Sequence, residues 1–251
     1  MQLLMSSRPS AVGIDVTTRL LDFAIVTFAV DPSRLAALLP SDFEPEVVTL
    51  RDGSQRALIS AVPFRDDDFR MSSLPWLRLA FNQINYRAYV RYRGDRVVWF
   101  FGTMLASPLV AVPRYAWRLP WHAAHIALAA RWNDGVCTDY ALDAGGAWGT
   151  ASLRCVGTTQ AMGRLDGFGD SEQTGLILTH PLRGYYCRRD GKLGSYAIWH
   201  ERLNMSRAVA QIARFSVFEN LGLTTPQDAV HSVLLQRETE FIIKLPPKAI
   251  R

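Results

Sequence analysis

The sequence predicts an α+β fold that is mainly antiparallel β, with a few short helices. Two observations carry that reading. The run that begins at Gln83 alternates, with Asn85, Arg87, Tyr89, Arg91 and Arg93 on one face and Tyr86, Ala88, Val90 and Tyr92 on the other, the period-two signature of a strand. Four hairpin-type dipeptides, Asp52-Gly53, Gly94-Asp95, Asp134-Gly135 and Asp190-Gly191, also separate apolar runs. Links this short join antiparallel neighbours, whereas parallel strands need long crossovers. So many strands close into a barrel or fold over as a sandwich, because open edges invite aggregation. With 251 residues, 49% of them hydrophobic, the chain can bury about three quarters of its unfolded surface, and residues 1–251 are read as one domain.

In chain order, Leu20 to Val30 is strand-like. Asp31-Pro32-Ser33 supplies a cap and a first-turn proline for a short helix whose apolar stripe, Leu35, Leu38 and Leu39, ends at Pro40. Glu46 to Leu50 and Gln55 to Val62 flank Asp52-Gly53, and Asp66-Asp67-Asp68 reads as a solvated loop. Gly94-Asp95, with glycine first, has the composition of a type II′ turn. Val97 to Met104 is almost continuously apolar, as in a strand buried on both faces. A connection broken by Pro108, Pro113 and Pro120 follows and ends at Trp121-His122. Ala123 to Trp132 and Val136 to Leu142 pair across Asp134-Gly135, and a glycine-rich turn, Ala144 to Gly149, leads into Ala151 to Val156. Gly184 to Arg189 and Leu193 to Leu203 pair across Asp190-Gly191. Ala208 to Val217, His231 to Gln236 and Glu238 to Leu245 are the last strands, with a short helix predicted at Thr225 to Val230.

The net charge of +5 comes almost wholly from arginine, since Lys192, Lys244 and Lys248 are the only lysines. Arginines are scattered among acids with no block of like charge, so nucleic-acid binding is not expected. No apolar run reaches the length of about 18 residues that a membrane span needs. The N-terminus lacks a secretory leader pattern, so a cytoplasmic location is expected. Cys137, Cys155 and Cys187 are odd in number and widely spaced, which fits reduced structural thiols. His122 and His125, three apart, point to opposite faces of a strand, so no metal site is expected and no cofactor is implied. The G-x-S-x-G elbow and the phosphate-binding loop are both absent, and Gly167-Phe168-Gly169 lacks the third glycine of a dinucleotide site.

The order of certain segments resembles the DUF2071 family of the acetoacetate decarboxylase-like superfamily. These are Arg34-Leu35 through Leu38-Leu39-Pro40, Val62-Pro63-Phe64, Asn85-x-Arg87-x-Tyr89-Val90, Trp99-Phe100-Phe101, Leu119-Pro120 and His180-Pro181-x-x-Gly184-Tyr185, together spanning about residues 18–245. The resemblance implies a bent antiparallel sheet closing into a barrel-like cavity around a buried polar site. It also implies a homo-oligomer, which exposed sheet edges favour as well. In the related decarboxylases a lysine forms a Schiff base one step after a proline that corresponds to Pro120. Trp121 and His122 stand there instead, with no lysine before Gly191, and Gln83 replaces a glutamate common in relatives. Imine-based decarboxylation is therefore not expected.

The expected partner is a small anionic or carbonyl-containing molecule. In the enzymatic reading, His122 moves a proton and Arg87 anchors a carboxylate or enolate. Gln83, Asn85, Arg118, Trp121 and Tyr185 bind or frame the substrate of a dehydratase, cyclase, isomerase or hydrolase. In the alternative reading the same pocket binds a small ligand without turnover. Arg87 stays open between an anchoring role and a structural ion pair.

Overall fold

The computed structural model describes residues 8–250, so residues 1–7 of the segment read for a leader lie outside the described residues. Strand β1 (Val16–Val30) is followed by α1 (Pro32–Ala36), where the Asp31 carboxylate accepts from the backbone N–H groups of Ser33 and Arg34, as the sequence predicts. The short β2 (Phe43–Pro45) and β3 (Val47–Thr49) precede β4 (Gln55–Met71), β5 (Leu79–Tyr92) and β6 (Asp95–Leu105). Next come α2 (Ala111–Ala116), β7 (Trp121–Ala123), β8 (His125–Asn133), β9 (Val136–Gly146) and β10 (Gly149–Ala161). The chain ends with α3 (Ser171–Leu178), β11 (Arg183–Cys187), β12 (Leu193–His200), β13 (Ser206–Phe215), α4 (Ser216–Asn220) and β14 (Ser232–Ile250).

The β1-β4-β5-β6-β11-β12-β14 path is closed by a β14–β1 ladder running from Val16↔Ile243 to Thr27↔Ser232, which makes a seven-strand barrel. Its neighbours are antiparallel except at β6–β11, where Gly184 to Tyr186 run parallel to Val98 to Phe100. β14 also pairs with β13 through Ala208↔Val233, and β13, β10, β9 and β8 extend from it as a second curved sheet. Period-two alternation then gives each barrel strand two apolar faces. Tyr86, Ala88 and Met104 join Leu142, Leu153 and Phe218 in a core between the barrel and the second sheet. Phe23, Val62, Phe64, Phe100 and Phe241 form an inner core with Ile177 and Leu178 of α3. α3, capped by Asp170, thus stoppers one end of the barrel.

Several sequence expectations are corrected. Asp66-Asp67-Asp68 is not a loop, because β4 continues through it. The alternation sends Asp66 inward, Asp67 outward to pair with Arg19, and Asp68 to a bulge with φ 58° beside Arg70 and Arg78. The β5–β6 turn is Arg93-Gly94, one residue earlier than expected. Tyr92 pairs with Asp95, and both turn residues have positive φ (52° and 87°), the type I′ arrangement. The two final strands are one, since β1 supplies ladder partners across the polar Gln236 to Glu238 break. No helix forms at Thr225–Val230; the turn of helix lies earlier, in α4, and α3 was not foreseen. Among the described residues no helix is long and apolar enough to cross a membrane.

Candidate functional site

The barrel encloses a cavity of about 220 Å³. Its walls follow from strand alternation. β5 contributes Gln83, Asn85 and Arg87, with Phe81 and Leu79 towards the mouth. β4 contributes Val62, Phe64 and Asp66, and β1 contributes Thr18 and Leu20. Across the barrel stand Phe100, Tyr196, Ile198, Phe241 and Ile243. The mouth lies where side chains regain solvent, at Leu77 in the β4–β5 turn and Val112 of α2 (46% and 52% exposed). A wider groove of about 550 Å³ runs outside the barrel past Arg19, Asp67, Asp68 and Arg78, but those charges pair with one another.

The interior polar groups are few and mutually placed. Arg87 is buried, and its Nη2 donates to the Leu178 carbonyl at the end of α3 (2.9 Å) and to the Tyr89 hydroxyl (3.3 Å). The helix C-terminus carries partial negative charge, which partly offsets the guanidinium. Its Nε is buried without a hydrogen-bond partner, and among the described residues Arg87 forms no ion pair. The carboxylate-paired strand tie weighed for it is therefore not what the structure shows. Asn85 Oδ1 accepts from Gln83 Nε2 (2.9 Å) and from Thr103 Oγ1 (2.7 Å) on the neighbouring strand, which fixes the amide orientation.

Asp66 is the residue the sequence reading missed. It is 2% exposed, accepts from Thr18 Oγ1 at 2.9 Å through Oδ1, and leaves Oδ2 buried with no partner. Burial raises its carboxyl to about 7, with the Thr18 hydrogen bond opposing. The group thus exchanges its proton near neutrality, as a general acid or base must. The signal was present in Val62-x-Phe64-x-Asp66, whose alternation carries the acid inward if the strand is not ended at Phe64. Asp66 pairs with Phe81, two residues from Gln83, so Asp66 and Gln83 are diagonal neighbours on one inner face, about 7–8 Å apart at Cα. Arg87 pairs with Ser60, six residues further along β4, or about 20 Å of strand from Asp66.

Of the other predicted site residues, Trp121 lines the cavity and His122 does not. Adjacent residues on β7 point to opposite sides, and the His122 ring stacks on Trp148 at 4.2 Å. Burial, then Arg114 and Arg189, lower it to about 4, so neither its position nor its basicity suits the proton-carrying role expected of it. Arg118 is exposed at φ 56° and pairs with Asp190 at 3.5 Å, away from the cavity. Tyr185 faces the outer core, packed against Phe43 and Tyr92, because its neighbour Tyr186 takes the inward direction on β11. Tyr196 lines the cavity; burial raises its hydroxyl, with nearby Arg87 opposing. His200 lies behind it, stacked on Phe241 at 4.5 Å and lowered to about 4 by burial, then by His180 and Arg87. It is therefore neutral near pH 7 and leaves Arg87 as the local cation.

Lys192 and Lys248 are exposed and Lys244 pairs with Asp15 at 2.9 Å, so no lysine lines the cavity. Among the described residues no three His, Cys, Asp or Glu side chains gather as a metal-holding group.

The profile of DUF2071, described as an uncharacterized conserved protein, matches residues 17–240. The chain belongs to the DUF2071 family. Its fold is shared with acetoacetate decarboxylase-like enzymes. The enduracididine biosynthesis enzyme MppR complexed with pyruvate superposes with a TM-score of 0.65 at 12% identity, over 99% of this chain and 93% of that one. Acetoacetate decarboxylase from Legionella pneumophila gives 0.62 at 13% identity, over 98% and 92%. An acetoacetate decarboxylase-like enzyme from Sphingomonas wittichii RW1 gives 0.60 at 12% identity, over 96% and 94%. Such low identity establishes the DUF2071 chain's fold and leaves its chemistry to its own residues. No curated protein matches the sequence.

Proposed function

We propose that the barrel takes up a small carboxylate- or carbonyl-containing metabolite and acts on it by acid–base chemistry without an imine, with Asp66 as the proton carrier. The observation that carries this is a pair of buried ionisable side chains, Asp66 and Arg87, each lining one apolar cavity with a hydrogen-bonding atom left unmatched by protein. An unpaired buried charge is costly, and the Arg87 guanidinium draws an anionic ligand into the barrel, while the proton transfer takes place at the Gln83 end, beside Asp66. The Gln83 and Asn85 amides hold a carbonyl oxygen, and Asp66 removes or returns a proton on the carbon beside it. In the forward step the C–H bond breaks, the proton goes to Asp66 and the electron pair moves to the carbonyl oxygen. MppR binding pyruvate supports an oxo acid as the class of compound. With no lysine on the cavity wall, the step proceeds without covalent attachment.

Deuterium exchange followed by NMR tests this. The protein is mixed in D2O with pyruvate, 4-oxopentanoate and 7-oxooctanoate, and C–H signals beside the ketone are followed. The expected result is catalysed exchange on at least one of these that is lost in Asp66→Asn, with no adduct after borohydride treatment. Equal exchange by Asp66→Asn, or a trapped adduct, overturns the reading. Binding without exchange assigns the cavity to ligand capture instead of turnover.

A further inference from the structure

The geometry points to the occupant of the Asp66 end: a 2-oxo acid whose head lies on the Gln83 and Asn85 amides and whose short apolar tail runs past Asp66 towards the mouth. This rests on the reading of the barrel as a site of carbonyl chemistry and narrows its substrate to 2-oxo acids that carry a small hydrocarbon chain.

The head follows from what the two amides still offer. An amide NH2 group carries two donors, and its oxygen only accepts. Asn85 Oδ1 takes one proton of Gln83 Nε2 (2.9 Å) and the hydroxyl proton of Thr103 (2.7 Å). With that oxygen held, one N–H of Gln83 and two of Asn85 are engaged by none of the described residues, against a single acceptor, Gln83 Oε1. An excess of donors suits a group that only accepts. The carboxylate and ketone oxygens of a 2-oxo acid stand on adjacent carbons, and the hydrogen bond between the two amides brings their donors together to meet them.

Orientation follows from the ladder. Asp66 pairs with Phe81, so it lies one inward step nearer the mouth than Gln83. Proton removal by Asp66 therefore places the carbon beside the ketone on the mouth side. The carboxylate takes the opposite side, where the field of Arg87 favours it and the charge of Asp66 does not oppose it. Whatever that carbon carries continues outward, into a layer walled by four strands. Val16 pairs with Met71 and with Ile243, Phe69 pairs with Leu79, and Leu245 lies beside them. None of these six side chains carries a charge or a hydrogen-bond donor, so the chain that fits there is hydrocarbon.

Volume sets its length. A dry cavity of about 150 Å³ suffices for the six heavy atoms of benzene, so the 220 Å³ available here holds on the order of nine. The pyruvate skeleton takes six of these, which leaves about three carbons for the tail, as in 2-oxohexanoate.

Calorimetric titration of the intact protein at pH 6 with pyruvate, 2-oxobutanoate, 2-oxopentanoate and 2-oxohexanoate tests the inference. Affinity is expected to rise about fourfold per added methylene. The isomer 5-oxohexanoate separates a specific contact from greasy adhesion, because it has the same atoms and charge but would carry its carboxylate into the apolar layer. It should bind about tenfold more weakly than 2-oxohexanoate, or worse. Asn85→Asp keeps the oxygen that Gln83 and Thr103 donate to and removes the free amide donors, so it should weaken 2-oxohexanoate about tenfold or more. Leu79→Ser should shrink the affinity ratio of 2-oxohexanoate to pyruvate several-fold. Affinity that is flat with chain length, or 5-oxohexanoate binding as tightly as its isomer, would each overturn the inference. The two proposals fail separately. Isomer-selective, length-dependent binding without deuterium exchange keeps this occupant and removes the catalytic reading. Exchange lost in Asp66→Asn, with no preference for length or isomer, does the reverse.

Discussion

Replacing Asp66 by Asn should stabilise the protein, by an amount that depends on pH. The carboxyl ionises near 3.8 in the unfolded chain and at about 7 in the fold, where burial opposes the charge. Between those values the folded state holds the extra proton, so wild-type stability falls as pH rises from about 4 to 7 and is level beyond. Three units at about 1.4 kcal/mol each give a penalty of about 4 kcal/mol at pH 8. Asn has the same shape and no charge to desolvate, and its amide can still meet Thr18. Asp66→Asn should therefore match wild type near pH 4 and exceed it by several kcal/mol at pH 8. For a chain of this size that is on the order of 10 °C in melting temperature. Urea unfolding of both proteins at half-unit pH steps measures the gap. A gap that stays constant from pH 4 to 8, or a less stable Asn variant at pH 8, would refute the claim that this carboxyl is desolvated.

Arg87→Met should weaken binding of pyruvate and 4-oxopentanoate only several-fold, as read by calorimetry, since unit charges about 20 Å apart at an effective dielectric of about 20 interact by about 0.8 kcal/mol. Its cost in folding stability should stay near 1–3 kcal/mol, because Tyr89 OH still donates to the Leu178 carbonyl at 3.2 Å. His122→Ala should leave deuterium exchange unchanged and cost about 1 kcal/mol through loss of the stack on Trp148, seen as a small drop in melting temperature. Gly184→Ala should destabilise by about 1–3 kcal/mol and weaken ligand binding too, since its Cβ would sit 2.3 Å from the Phe100 ring that forms the cavity wall.

The antiparallel sheet was legible from local signals because several of its hairpin turns carry their own chemistry. Asp134-Gly135 and Gly191 take the positive φ angles that their residue types announce, and Asp31 caps α1 where expected. Asn85, Arg87 and Gln83 were found because an uninterrupted alternation places all three on one side. Asp66 was lost because three consecutive acids look like a solvated loop. The ladders with β1 and β5, which pair Asp66 with Leu20 and with Phe81, show that the strand runs on. His122 was misassigned for a related reason. Its proximity to Trp121 suggested a shared site, yet β7 forms only by parallel pairing with β6, a long-range contact that sets which of two neighbours faces inward. Tyr185 and Arg118 likewise depended on tertiary pairing that no local pattern encodes.

A crystal structure of the protein with 7-oxooctanoate tests the central claim most directly. The account expects the molecule inside the barrel, its ketone facing Asp66 beside the Gln83 amide, and no covalent link to protein. Density outside the barrel, a ketone turned away from Asp66, or a bond to any side-chain nitrogen would contradict it.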